Sequence, residues 1–339
     1  MRIFSRVASL FLLFLISTVF ATAADTDPTA LLKAGKADAA LHALNASLAQ
    51  NPNDAHAYNL LCRVYYQLEL WDNSVRMAEK SVALDPENSS YHLWLGRAMG
   101  RKAEVANPFA AFGLARKVKS EFERAVSLDT NNLHARSDLS EFYLEAPSFL
   151  GGDKSKARQQ AEFVARRDPA LASYINARVE EKQGSGQAEA EYKKAVASSN
   201  DPSRYWVELA HFYRRAGRIN EMETAVTKSL ATAHEGDVTE FDVANLLLHA
   251  GRNFPGAIQM LRHYVTQEDP SEDGPAFQAH YLLGILLEKQ GRTKEAAAAF
   301  HDALEMASEY KPARDALARV SRLNHVFLIH PLEQRAGEK

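Results

Sequence analysis

Twelve histidines, 43 aspartates and glutamates and a single cysteine are the residues of this 339-residue chain that could carry acid–base, metal or nucleophilic chemistry. Each of those chemistries demands a spacing. A helical zinc site needs HExxH, a redox or zinc pair needs CxxC, an acyl-transfer serine sits in GxSxG and a dinucleotide loop reads GxGxxG; none of the four occurs. The run Gly151-Gly152-Asp153-Lys154-Ser155-Lys156 has the composition of a phosphate loop without its GxxxxGK[ST] order, and no strand is expected before it. His249 and His263 have no identifiable third ligand, so a solvated or packing role is the reading for both. No catalytic residue, cofactor or metal is expected, and an enzyme would need a site assembled from side chains far apart in sequence.

Composition says what such a chain can do instead. With 46% hydrophobic and 24% charged residues, it can bury a core, and its formal net charge of −3 provides no basic field for nucleic acid. The N-terminus stands apart: Arg2 and Arg6 precede an apolar run from Val7 to Phe20, and Ala21-Thr22-Ala23 fits an A-x-A cleavage site. Residues 1–23 are therefore read as a signal peptide, too short in its apolar part for a comfortable membrane span, and no other stretch could span one. An uncleaved anchor is the competing reading. Only Cys62 remains in the mature chain, so no internal disulfide is available. A soluble exported protein, periplasmic or secreted and most readily bacterial, is the expectation.

The elements that would position any site repeat. From His280 to Ala303, Leu283, Gly284 and Leu287 share a helical face, Gly291 supplies a stop, and Ala296, Phe300 and Ala303 recur at i, i+4, i+7. This helix–turn–helix resembles a tetratricopeptide (TPR) repeat, and Pro52 and Pro86 stand 34 residues apart, the period of that family. Tyr58, Leu61, Cys62, Tyr65, Trp71, Ser74, Ala78 and Ser81 fill the pattern between those prolines, with Cys62 as a small packing residue. The resemblance implies an all-α fold: a right-handed α-solenoid superhelix of about eight helical hairpins. Residues 28–54 form a truncated N-terminal capping repeat, 55–310 the array, 311–323 a capping helix and 324–339 a tail. Insertions fall near 100–117, where Asn107-Pro108 should break a helix, and at 146–151. Phe109, Phe112, Leu114, Val118 and Phe122 make an apolar stripe expected to pack on neighbours, and Val326-Phe327-Leu328-Ile329 could dock on the capping helix or on a partner.

In TPR arrays the first helix of each pair lines the concave face. Carried over by position, the resemblance implies a groove of Asn59, Arg63, Tyr66, Arg97, Arg101, Tyr174, Arg178, His211, Arg214 and Arg215, with Glu141, Glu145, Phe241, Asn245 and Tyr281 beside them. Arginine with aromatic rings suits protein recognition, because the guanidinium forks a carboxylate and the rings add low-entropy contact area. An acidic segment or a C-terminal carboxylate is the ligand chemistry implied. The plainer alternative is that Arg63, Arg97 and Arg101 pair with Glu104, Glu141 and Glu145 as a solvated network. The Lys/Asn/Asn/Lys/Arg clamp of chaperone-tail-binding TPR domains is absent, since Asn59 and Arg63 stand where it has Lys and Asn. The functional reading is a non-catalytic scaffold or adaptor for a peptide or partner protein, with cell-envelope assembly as one setting; a self-assembling structural component is the alternative, and an enzyme subunit a third. If the leader is processed as read, mass spectrometry of the chain expressed in a bacterium with its leader will find Ala24 at the amino terminus, whereas an intact Met1 would mean an anchor.

Overall fold

The computed structural model describes residues 27–267 and 271–333. Within them the chain folds into seventeen α-helices and one 3-10 turn, with no strand. The first pair is short: α1 (Pro28–Lys33) and α2 (Ala37–Gln50). Seven fuller hairpins follow, α3 (Ala55–Gln67) with α4 (Trp71–Leu84), α5 (Ser89–Val105) with α6 (Pro108–Leu128), α7 (Leu133–Glu145) with α8 (Lys154–Val164), and α9 (Pro169–Gln183) with α10 (Ala188–Ser198). Then come α11 (Pro202–Arg215) with α12 (Ile219–Thr232), α13 (Thr239–Ala250) with α14 (Phe254–Tyr264), and α15 (Ala276–Lys289) with α16 (Thr293–Met306), closed by α17 (Lys311–Glu333). The expected all-α solenoid of about eight hairpins and a last helix is what the structure shows. No helix of the described residues is long and apolar enough to cross a membrane.

Local chemistry starts and stops these helices. Asp54, Asn107, Asn132 and Asp168 each accept a hydrogen bond from the backbone N–H three residues on, at 3.0, 3.1, 3.0 and 2.8 Å, satisfying first-turn donors that have no helical partner. Gly291 ends α15 at a φ of 73°, the left-handed conformation a side chain would disfavour. Packing within a hairpin depends on missing side chains. A Cβ on Gly284 would lie 2.4 Å from the Phe300 ring, and one on Gly96 would lie 2.4 Å from Phe122, the same contact in two separate hairpins. Cys62 takes that small position in α3: it is fully buried with its Sγ 3.4 Å from Ser74 Oγ, and burial pushes the thiol up to about 12, so it packs as a neutral small residue.

Two sequence expectations change here. The apolar stripe of α6 is only half packed: Val118 and Phe122 are buried, but Phe109 is 92% exposed and Phe112 stacks on Phe149 of the 3-10 turn at 6.3 Å. The reason is length, because α6 has 21 residues where α4 has 14, and its amino-terminal end overhangs the stack. The last helix does not stop at Leu323 but continues to Glu333; the side chains of Val326 to Ile329, residues 334–339 and the leader lie outside the described residues.

The array also does not end in two separate caps. Leu31, Leu32, Ala37, Ala40, Leu60 and Leu61 share one buried cluster with Phe277, Ala303, Ala307, Tyr310 and Ala313, so the first repeats pack on the last. Phe277 meets Tyr310 edge to face at 5.0 Å, and Tyr310 Oη donates to Glu69 Oε1 at 3.2 Å. Ser308 N–H donates to Asp38 at 3.0 Å, Gln278 Nε2 to Gln67 O at 2.7 Å, and Gln67 Nε2 to Glu272 O at 3.0 Å. Gly35, at a φ of 65°, lets the backbone of Ala276 come so close that a Cβ would lie 2.4 Å from its nitrogen. Two substitutions separate hairpin packing from this seam. Gly284→Ala should cost about 1–3 kcal/mol by overpacking against Phe300. Phe277→Ala should cost about 3–5 kcal/mol and expand the molecule. Urea unfolding measures both costs, and a radius of gyration unchanged by Phe277→Ala in small-angle scattering would count against a closed array.

Candidate functional site

Closure sets the first helices of the hairpins around a shared inner surface, and they bring their polar residues to it. On one side lies an aromatic and arginine ladder. Tyr66 of α3 sits edge to face between Trp71, at 5.4 Å, and Trp94 of α5, at 5.6 Å. The guanidinium groups of Arg63 and Arg97 lie over Trp94 at 5.2 and 4.8 Å, and that of Arg101 over Trp71 at 5.2 Å. Together with Gln67, Glu69, Glu272, Asp273, Pro275 and Gln278, these residues (Arg97 excepted) border a cavity of about 270 Å³ at the seam.

Each groove residue expected from sequence has a definite place, and few are free. Arg63 forks Glu272, with Nε 2.8 Å from Oε1 and a second bond from Nη2 to Oε2. Arg97 Nε is 2.5 Å from Asp138 Oδ2, and Arg101 Nη1 is 2.5 Å from Glu104 Oε2. Arg178 reaches Glu141 at 2.5 Å and Glu145 at 3.1 Å, and Arg215 forks Glu181 at 2.7 and 2.9 Å. Asn59 is buried with its Nδ2 unpaired, and Arg214 keeps a buried Nε without a partner. Tyr174 is wedged against Tyr192 and Tyr205 at 6.2 and 6.1 Å, and burial, with Glu208 and Glu141, holds its hydroxyl well above the ordinary range. Burial, then Arg215, Arg214 and His249, pushes His211 down to about 4, so it is neutral near pH 7. The network reading of the arginines holds for Arg101 with Glu104. The acids on Arg97 and Arg63 are Asp138 and Glu272 instead, while Glu141 and Glu145 serve Arg178.

Facing the ladder is a group of carboxylates that sequence reasoning missed. A central pocket of about 550 Å³ is bordered by Asp138, Asp201, Glu208, Asp237, Asp242 and Asp273, with Arg97 and Arg204 the only arginines in its lining. Burial raises Glu208 despite the nearby Arg204, Arg178 and Arg215. Burial, then Glu208 and Asp273, pushes Asp242 up to about 7. Among 43 carboxylates nothing local marks these two; the signal exists only once α11, α13 and the connector before α15 converge.

The two histidines singled out from sequence lie apart. His249 Nδ1 lies 2.8 Å from the backbone carbonyl oxygen of Asn245, while His263 faces Glu240 at 2.8 Å, so the two histidines do not share a site. One trio among the described residues, His301, Asp302 and Glu305, has possible ligand atoms within 4.8 Å, all exposed on α16. His301 and Glu305 are i,i+4 neighbours 3.3 Å apart, the arrangement of an ordinary solvated helix face.

The raised acids make stability depend on pH with a definite sign. Asp242 titrates near 4 in an unfolded chain and at about 7 here. Between those values the native state holds more protons, so its contribution is full below pH about 4 and is lost as pH rises through about 7. Glu208, raised in the same direction, adds to the trend. Asp242→Asn should therefore be more stable than the parent at pH 8 and little different at pH 4. Urea midpoints at the two pH values test this, and an equal gap at both would refute it.

Residues 31–98 and 242–312 each match the tetratricopeptide repeat family. The crystal structure of TTC0263, a thermophilic TPR protein in Thermus thermophilus, is similar over 66% of this chain and 97% of its own, at 20% identity and a TM-score of 0.44. The MamA protein is similar over 53% of this chain and 96% of its own, at 20% identity and a TM-score of 0.38. The human IFIT1 dimer with m7Gppp-AAAA is similar over 88% of this chain and 70% of its own, at 16% identity and a TM-score of 0.44. With family matches in both halves of an array whose hairpins repeat one small-residue-to-phenylalanine contact, the chain is a tetratricopeptide-repeat protein.

Proposed function

We propose that this protein is a non-catalytic scaffold that holds a carboxylate-bearing segment of a partner protein against the ladder of Arg63, Tyr66, Trp71, Trp94, Arg97 and Arg101. TPR repeats as a class serve protein–protein interaction. The observation that carries the finer reading is the placement of three guanidinium groups over two indoles beside an open cavity of about 270 Å³. Indole faces desolvate and orient the guanidinium, and a fork so held recognises a carboxylate in two places at once. The acidic pocket opposite limits the partner further: Asp201, Asp237 and Asp273, which line it beside the raised Glu208 and Asp242, repel a uniformly acidic chain or a polyphosphate, so the carboxylate is a local feature of the segment. The leader read in residues 1–23 would place this scaffold outside the cytoplasm, with envelope assembly as a setting.

The test is affinity capture from a periplasmic extract with identification by mass spectrometry. Reversal of Arg63, Arg97 and Arg101 to Glu should remove the captured partner, while reversal of the exposed Arg116 and Lys117 on α6 should leave it in place. A triple variant that keeps its circular dichroism and still captures the same partner would defeat the proposal.

A further inference from the structure

Each arginine of the ladder already holds one of the protein's own carboxylates, and on Arg63 it is Glu272. Glu272 lies on the connector between α14 and α15, more than two hundred residues from the arginine it binds. It uses both carboxylate oxygens on the Arg63 fork, and its backbone oxygen accepts from Gln67 Nε2 at 3.0 Å. That pairing takes the Nε/Nη2 edge of the guanidinium and neutralises the charge that an incoming carboxylate would need. The next connector residue, Asp273, borders both the seam cavity and the central pocket. An acidic stretch of chain thus lies on the ladder as a bound segment would.

Two observations favour exchange over a role in holding the array shut. The array is held by the apolar cluster of Leu31, Leu32 and Phe277 with Tyr310, which does not involve Glu272. Beside Glu272, by contrast, there is empty volume bordered by Tyr66, Trp71, Trp94 and Arg101, and an unmet acceptor: Gln67, 6% exposed, has no donor for its Oε1. A buried amide oxygen without a donor costs stability.

The geometry points to Glu272 as an internal occupant of the carboxylate site, so that a partner's acidic segment binds only by displacing the connector from Arg63. This rests on the carboxylate reading of the ladder, and it adds the competitor. The displacement is local. Ser271 to Asp273 moves off, while Gly274, whose carbonyl oxygen accepts from Tyr264 Oη at 2.7 Å, and the apolar half of the seam stay in place. Besides the Arg63 fork, the hydrogen bonds given up are Gln67 Nε2 to Glu272 O at 3.0 Å and Gly274 N–H to Ser271 O at 3.2 Å. Loss of a charged, hydrogen-bonded competitor of this kind should raise the affinity of an outside carboxylate about tenfold.

The probe is the connector's own sequence, Glu-Asp-Pro-Ser-Glu-Asp-Gly-Pro, acetylated and amidated and followed by tryptophan fluorescence in the full chain. Glu272→Ala should bind it about tenfold more tightly than the parent, and adding Arg63→Ala should remove that gain. Glu272→Gln, which keeps the side-chain shape, provides the same comparison if the alanine variant melts early. Equal binding by parent and folded Glu272 variants would overturn the competition while leaving the carboxylate site intact. No binding by any folded variant would overturn the carboxylate site itself, and the competition with it.

Discussion

Each hairpin of a helical solenoid leaves one apolar flank bare until a neighbour stacks on it, and the two end hairpins have a neighbour on one side only. In this protein they cover each other. The cluster joining Leu31, Leu32, Leu60 and Leu61 to Phe277, Ala303 and Tyr310 does for the array what a hydrophobic core does for a globular domain. Gly35 permits the approach because a side chain there would collide with the backbone of Ala276. Remove that contact and two apolar faces reach water.

The inner surface follows from the same constraint. In an open array the first helices would border a groove bathed in solvent, where an arginine and a glutamate contribute little to each other. Closure sets Arg63 against Glu272 and brings Asp273 to the pocket that holds Asp242 and Glu208. Charges that would be screened on an open groove now act on one another at short range. Burial, with Glu208 and Asp273 behind it, holds Asp242 at about 7, and Arg63 is paired with a residue from the far end of the chain. For the proposed carboxylate-bearing partner, affinity would be a difference between two carboxylates rather than the strength of one.

The charge order of that surface also bears on specificity. An arginine and indole side faces a carboxylate side across a cavity, so a segment that satisfies the first must avoid the second. Discrimination by repulsion is available to a surface of this charge order. The overhanging end of α6, with Phe109 exposed, lies outside this surface and plays no part in it.

How much of this was legible from sequence can be judged from particular residues. The Leu-Gly, Ala and Phe positions of the His280 to Ala303 stretch, and the proline period, determined the hairpins, because helix packing depends on residues three and four apart and on small side chains where backbones meet. Asn107-Pro108 marked the break between α5 and α6 for an equally local reason. The identities of the inner residues were legible too, since Arg63, Tyr66, Arg97 and Arg101 follow from helical phase once the hairpins are placed. Their partners were not. Glu272 for Arg63, Asp138 for Arg97 and the raised pair Glu208 and Asp242 depend on how many small rotations between hairpins add up around the array. No window of sequence contains that sum, and only the tertiary structure decided that the first repeat would meet the last.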